Sequence, residues 1–482
     1  MTAVAQLATR ADQAYLAREW STALNLQRVI GTTHPQVAAE LRFALTEAHC
    51  AIELADANAL AALAHDAGPP VGTEREAQLV QLIRARVHEC CRAGDLVRAS
   101  CLLRLVAPLD PAIGGAYAGD LLTRRSTSTI ETEPRFLTDH GVADWSIEAA
   151  KQRHRGKRVL LVRRNAFGDN PARRHETNDN VTRTGTSFGL TVREFSSFAP
   201  PGAAADRYAD NLHDVIEDFR PDLVFYDELF LSGASALPGP AEAIGHVLET
   251  ARRERGVRVV KSYTDGWYVV AHGPDSVFAQ LGRCYDVVHH CHPGMLERGS
   301  AAERAAVFCY PFPTVWPTPT VAAAGVPRAG FVGGIHPGSI ARLAWWAEAA
   351  RAGVPLDFIE ARHDVAEQRS DLDYINLLRR YAVSVNFTLR PTGARILTAR
   401  TLEVPLAGGV LVEEDNQDTR YFLRAGIDFV PFETMPDLAA LLPALLADAA
   451  RRRALAAAAH DWVTRYFTGD YFWTGLLGRL YG

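Results

Sequence analysis

The sequence has no surplus of positive charge, no long apolar run and no paired framework of cysteines, and each absence removes a class of function. Over 482 residues, 51 Lys and Arg stand against 56 Asp and Glu, a formal net charge of -5. Without a basic field there is no sequence-independent attraction for nucleic acid or anionic lipid. No stretch approaches the roughly eighteen apolar residues of a membrane span. The opening "MTAVAQLATRADQAY" lacks the basic stretch and apolar core of an export signal. The seven cysteines, Cys50, Cys90, Cys91, Cys101, Cys284, Cys291 and Cys309, are odd in number and unpaired in spacing, which fits reduced thiols. The expectation is a cytoplasmic protein with no transmembrane segment and no nucleic-acid partner. What the chain does have is globular composition, 48% hydrophobic and 22% charged, and length enough for about three domains.

The first of these reads as helical repeats. Three segments set an alanine twelve residues before a proline: Ala23 and Pro35, Ala57 and Pro69, Ala99 and Pro111. A small residue lets two helices approach closely, and a proline, lacking an N–H, ends the second of them. The wording "GD…A…LDP" and the 34-residue interval between the first two alanines resemble tetratricopeptide repeats. That resemblance implies a helical repeat domain over residues 1–120 that binds a protein partner and does no chemistry; a plain helical bundle is the alternative. Residues 121–155, rich in Ser, Thr and charge, read as a linker.

From Gly156 the pattern changes to short β-branched runs alternating with helical stretches. "KRVLLVRR", "LTVREF", "PDLVFYD", "VRVVKSY" and "YDVVHH" read as strands of a parallel sheet. A proline-rich break at 310–328 follows, and then the alternation restarts with "AGFVGG", "PLDFIE", "VSVNFTL", "GVLVEE", "DFVPF" and a long alanine-rich helix over 436–467. The fold class is therefore α/β, with two Rossmann-like lobes over 156–327 and 328–482. Ligands in such sheets sit beyond the carboxyl ends of the strands.

Several strand ends carry candidate chemistry. "GFVGGIHPGSIAR" runs from strand through a glycine turn into a helix, so Gly333 and Gly334 can bring backbone N–H groups to a phosphate, with Arg342 placed to neutralise it. Arg400 and Glu403 are three residues apart and share one face of a helix. A carboxylate there can accept both hydroxyls of a ribose, though a surface ion pair is the plainer reading.

The stretch from "NFTLRPTGARILTARTLEVPLAGGVLVEEDN" to "AAAAHDWVTRYFT" resembles the C-terminal domain of group-1, spore-maturation-type glycosyltransferases of the GT-B fold over most of residues 328–470. The resemblance implies a nucleotide-sugar donor in the second lobe, with Glu403 on the ribose and Arg400 and Arg342 near the phosphates. It implies an acceptor, protein or glycan, in the first lobe. The chain departs from the pattern in carrying Arg395 where some relatives have a second glutamate, and in Pro405, which calls for a kinked or late-starting helix.

On the acceptor side, Gly168, Asp169 and Asn170 follow the first strand, and Asp227 and Glu228 end another. Asp265, after "KSYT", is the candidate catalytic base. Neither "HHCH" (His289 to His292) nor "DLD" (Asp371, Asp373) is read as a metal site: alternation on a strand separates the first set, and an acid opening a helix explains the second. No cofactor or metal is expected. The terminal "DYFWTGLLGRLYG" is expected to pack back across the first lobe. Two rival functions remain from sequence: a nucleotide-sugar epimerase of the same architecture, and a repeat scaffold that senses a nucleotide sugar without catalysis.

Overall fold

A computed structural model describes residues 3–17, 19–33, 74–93, 95–107, 113, 134–163, 166–167, 170–174, 176–196, 205–227, 240–263, 281–295, 299–313, 326–333, 340–351, 353–354, 356–360, 371–388 and 395–482. Two helix pairs stand at the amino end, Ala3–Leu16 with Trp20–Thr33 and Glu74–Ala93 with Leu96–Val106. Ala23 and Ala99 are fully buried, as close helix approach requires. The repeat centred on Ala57 and all three prolines of the pattern lie outside the described residues.

The second helix pair is docked on the carboxyl-terminal lobe. Ile83, Val87, Leu102 and Leu103 share a core with Leu343 and Trp345. At the centre of that contact Glu348 is completely buried. It accepts from Ser100 Oγ at 2.7 Å, from Arg104 Nε and Nη2 at 2.8 Å each, and from Arg351 Nε at 2.8 Å.

The first lobe contains β1 (Arg158–Arg163), a hairpin of β2 (Ala166–Phe167) and β3 (Asn170–Arg174), then β4 (Thr191–Ser196), β5 (Leu223–Asp227), β6 (Arg258–Tyr263), β7 (Val287–His290) and β8 (Val307–Cys309). Six of them form a parallel sheet in the order β4-β1-β5-β6-β7-β8. The second lobe contains β9 (Val326–Gly333), β10 (Leu356–Glu360), β11 (Tyr381–Asn386), β12 (Val410–Glu414) and β13 (Val430–Phe432), parallel in the order β10-β9-β11-β12-β13. Every residue of β11 and β12 is buried, as expected of strands covered on both faces. The β2–β3 hairpin and the short β8 have no clear alternating or β-branched signature and were not expected from the sequence.

In both sheets the chain winds first to one side of its opening strand and then crosses to the other. The topological switch points are therefore β1/β5 and β9/β11, where ligands of doubly wound sheets bind.

Part of the stretch read as a linker is folded. Phe136–Asp139 and Ile147–His154 are helical. Phe136 is fully buried among Tyr310, Phe422, Trp462, Tyr466 and Phe467, with ring centroids 5.2 to 6.2 Å away. Its apolar residues are too widely spaced to show a period. This aromatic cluster belongs to one core containing residues of both lobes, and the Tyr310 hydroxyl donates to the carbonyl of Tyr466 across them.

The alanine-rich helix expected over 436–467 is two helices, Met435–Ala447 and Ala449–Tyr466. Asp448 divides them by capping the second, its carboxylate accepting from the Arg451 N–H at 2.8 Å. The terminal helix Gly469–Tyr481 lies on the first lobe. Trp473 Nε1 donates to Thr184 Oγ1 at 3.1 Å, and a Cβ on Gly475 would come within 2.3 Å of the Trp145 ring.

Candidate functional site

Three sequence candidates converge at the carboxyl ends of β9 and β11. Gly333 is the last residue of β9. A Cβ there would stand 2.5 Å from the Phe331 ring and 3.2 Å from Arg400 Nη1, so the lack of a side chain at Gly333 leaves room for the Phe331 ring and, beside it, for Arg400. Arg400 lays its guanidinium against Phe331, 5.1 Å from the ring centroid, and donates Nε–H to Asn386 Oδ1 at the end of β11, 2.9 Å away.

Glu403, one turn along the same helix, is half-buried and accepts from the Tyr374 hydroxyl at 2.9 Å. That hydroxyl also meets Arg400. Burial, then the charge of Glu403, raises the phenol pKa well above its ordinary value, so it stays a donor. Each member of the pair thus has a partner in the fold beneath it. The helix Ala399–Leu406 is short, starts late after Thr398 and holds Pro405 in its last turn.

Behind Arg400 lies a buried network that no motif announces. Asn386 Nδ2 donates to Thr398 Oγ1 at 2.8 Å and to Glu413, its register partner on β12. Glu413 also accepts from Thr401 Oγ1 at 2.8 Å and from Thr419 Oγ1. Burial pushes its carboxyl up to about 7, against the hydrogen bonds from Thr419, Asn386, Thr401 and Asn416. Among the described residues no cation pairs with it. Glu413 ties the helices starting at Ala399 and Gln417 to β11 and β12, and so fixes the acceptor on which Arg400 rests.

The other candidates are placed in part. Arg342 is the third residue of the helix Ile340–Arg351, and Gly334 lies outside the described residues. In the first lobe Asn170 opens β3 and Asp227 closes β5, at or near the β1/β5 switch point. Gly168, Asp169, Glu228 and Asp265 lie outside the described residues.

The residues of "HHCH" serve separate purposes. His289 bonds Ser262 Oγ and the Tyr310 carbonyl, both at 2.8 Å. His290 Nδ1 accepts from the His292 N–H at 3.0 Å, which leaves the ring proton on Nε2. His292 reaches across to Asp418 of the second lobe. A groove of about 690 Å³ lined by Arg252, Arg253, Arg258, Arg283, Glu249 and Asp286 opens at the amino ends of β6 and β7, away from the carboxyl edge. Arg252 and Arg258 are bound there to Asp286.

The site therefore offers a glycine at the end of β9, an immobilised arginine and an oriented carboxylate at the switch point of a doubly wound sheet. Residues 332–478 match the glycosyl transferase-like family. The matched segment begins at the end of β9 and contains Gly333, Arg400, Glu403 and Glu413. No curated protein matches the chain. Among solved structures, HepE of Anabaena in complex with UDP and glucose aligns at 10% identity over 67% of this chain and 98% of its own, with a TM-score of 0.44. Sucrose-phosphate synthase of Thermosynechococcus elongatus aligns at 14% identity over 67% and 98%, TM-score 0.43. An alpha-glucosyltransferase bound to UDP and DNA aligns at 10% identity over 68% and 100%, TM-score 0.45. These superpositions are too loose to bear on chemistry. Among the described residues no helix is long and apolar enough to cross a membrane.

Proposed function

We propose that the chain is a glycosyltransferase of the GT-B type. A nucleotide-diphosphate sugar lies along the carboxyl edge of the second sheet, its ribose on Glu403 and its phosphates among the Gly333–Gly334 turn, Arg342 and Arg400. The observation that carries this reading is that Gly333, Arg400 and Glu403 meet at the β9/β11 switch point inside the segment matching glycosyl transferase-like proteins. Tyr374 holds one oxygen of Glu403, which reduces the ordering cost when hydroxyls bind the carboxylate.

The acceptor nucleophile sits in the first lobe, near Gly168, Asp169, Asn170, Asp227 and Glu228. In the transfer its oxygen bonds to the anomeric carbon and its proton passes to Asp265. The bond to the diphosphate breaks, and the electron pair leaves with the diphosphate. Turn amides and arginines offset that charge, so the design works without a metal. The helical pairs, read as tetratricopeptide-like, present a protein acceptor or partner, and the reaction runs in the cytoplasm on a protein or glycan.

The test is a thermal-shift panel of uridine, guanosine, adenosine and thymidine diphosphates, followed by nucleotide release from the corresponding nucleotide sugars. Expected results are stabilisation by one diphosphate, its release on turnover, and loss of both in Glu403→Ala. Interconversion of sugars without release would mean an epimerase, and binding without turnover a sensor. Unchanged binding by Glu403→Ala would refute the assignment.

A further inference from the structure

Arg400 rests on the carbonyl oxygen of Asn386, and an amide can present either of its ends. Two partners decide which. Asn386 Nδ2 donates to Thr398 Oγ1 at 2.8 Å and to Glu413 Oε2, so Oδ1 is the end turned to the guanidinium. Glu413 is held in its turn by Thr419 Oγ1 and, at 3.5 Å, by Asn416 Nδ2. Asn416 caps the helix Gln417–Phe422, accepting from the Thr419 N–H at 2.8 Å. That helix therefore sets where Glu413 stands and, through Asn386, where Arg400 stands.

The same helix is fastened to the first lobe. Its second residue, Asp418, is buried and bonded to His292 Nδ1, two residues past the end of β7. His292 is fixed from its own lobe by the bond from its N–H to His290 Nδ1. Among the described residues His292 is the one side chain bonded to Asp418. The carboxylate also accepts from the Leu397 backbone N–H, one residue before the N-cap of the helix that carries Arg400 and Glu403. A helix of six residues has little stability of its own, so its seat depends on such contacts. It touches the first lobe through Asp418 and the support of Arg400 through Thr419.

We infer that His292 is a positioning residue for the donor site: a first-lobe side chain that fixes Arg400 for the diphosphate through Asp418 and the helix Gln417–Phe422. This rests on the donor-site reading above. Calorimetric titrations with uridine, guanosine, adenosine and thymidine diphosphates test it on wild type and on four variants. His292→Ala, and His292→Leu, which keeps the bulk and lacks a donor, should each weaken the diphosphate that binds wild type by about five- to tenfold, the lower part of the range for coupled sites. His292→Asn keeps a side-chain N–H for Asp418 and should bind as wild type does. Tyr310→Phe removes a different bond between the lobes, the one to the Tyr466 carbonyl, and should leave the affinity unchanged. Unchanged affinity in His292→Ala or His292→Leu overturns the inference and leaves the donor site standing. So does an equal loss in His292→Asn, which would put the imidazole on the ligand itself, or in Tyr310→Phe, which would tie affinity to lobe contact in general. Failure of wild type to bind any of the four diphosphates overturns both readings.

Discussion

Glu348 bolts the second helix pair to the lobe that carries the donor-side residues, and Glu348→Ala should release it. The carboxylate is fully buried and takes four hydrogen bonds, two from Arg104 and one each from Ser100 and Arg351. Breaking a buried ion pair costs about 3–5 kcal/mol when the remaining charge is trapped. Here the side chains of Arg104 and Arg351 are 37% and 48% exposed and regain water, which reduces the penalty. Ser100 is 1% exposed and loses its partner, at about 1–3 kcal/mol. The expected loss is about 2–3 kcal/mol, confined to the docking of Leu96–Val106.

The same bond predicts a pH effect. Burial alone would raise the Glu348 carboxyl, but hydrogen bonds from Arg104, Ser100 and Arg351 bring it down to about 2 from 4.5. Its contribution is therefore complete above pH 4.5 and declines as pH falls from there towards 2, where the unfolded carboxyl protonates first. Hydrogen exchange of the helix Leu96–Val106 reads the docking directly. Unchanged protection in Glu348→Ala, or wild-type protection that is flat from pH 5 to 2, would refute the reasoning.

Four further outcomes are expected. Tyr374→Phe should raise the donor KM about tenfold, the worth of a hydrogen bond to a charged group, with Glu403 still present; an unchanged KM would mean that Tyr374 does not orient it. Phe136→Ala, which opens a void in the aromatic cluster shared by the lobes, should cost about 3–5 kcal/mol in urea denaturation. Glu413, raised by burial to about 7 from 4.5, binds its proton more tightly folded than unfolded. Its effect on wild-type stability should therefore fall by about 3 kcal/mol from pH 4.5 to 7, a slope that Glu413→Gln should flatten. His292→Ala leaves the buried Asp418 without its cross-lobe partner and should lower stability by about 1–3 kcal/mol, measured by thermal melting.

Much of the fold was legible because parallel strands covered on both faces are largely apolar, and "VLLV", "LVFY" and "VLV" are such runs. The β2–β3 hairpin and the "VFC" strand are too short to carry a period, and the break at Asp448 depends on one cap within an alanine-rich stretch. At the site, Arg400 and Glu403 could be paired by helical spacing. Their supports could not: Tyr374, Asn386 and Glu413 come from three other elements, and a buried glutamate after "VLV" reads in sequence as the start of a surface loop.

Local order was within the reach of the amino-acid string, since propensity, spacing and turn chemistry act between near neighbours. It set the alternation of strand and helix, the glycine after β9 and the shared face of Arg400 and Glu403. The strand order that puts β9 beside β11, the seating of Phe136 between the lobes and the reach of His292 to Asp418 join residues far apart in the chain. Those depend on long-range packing and on which buried polar groups find partners, and only the folded chain brings them together.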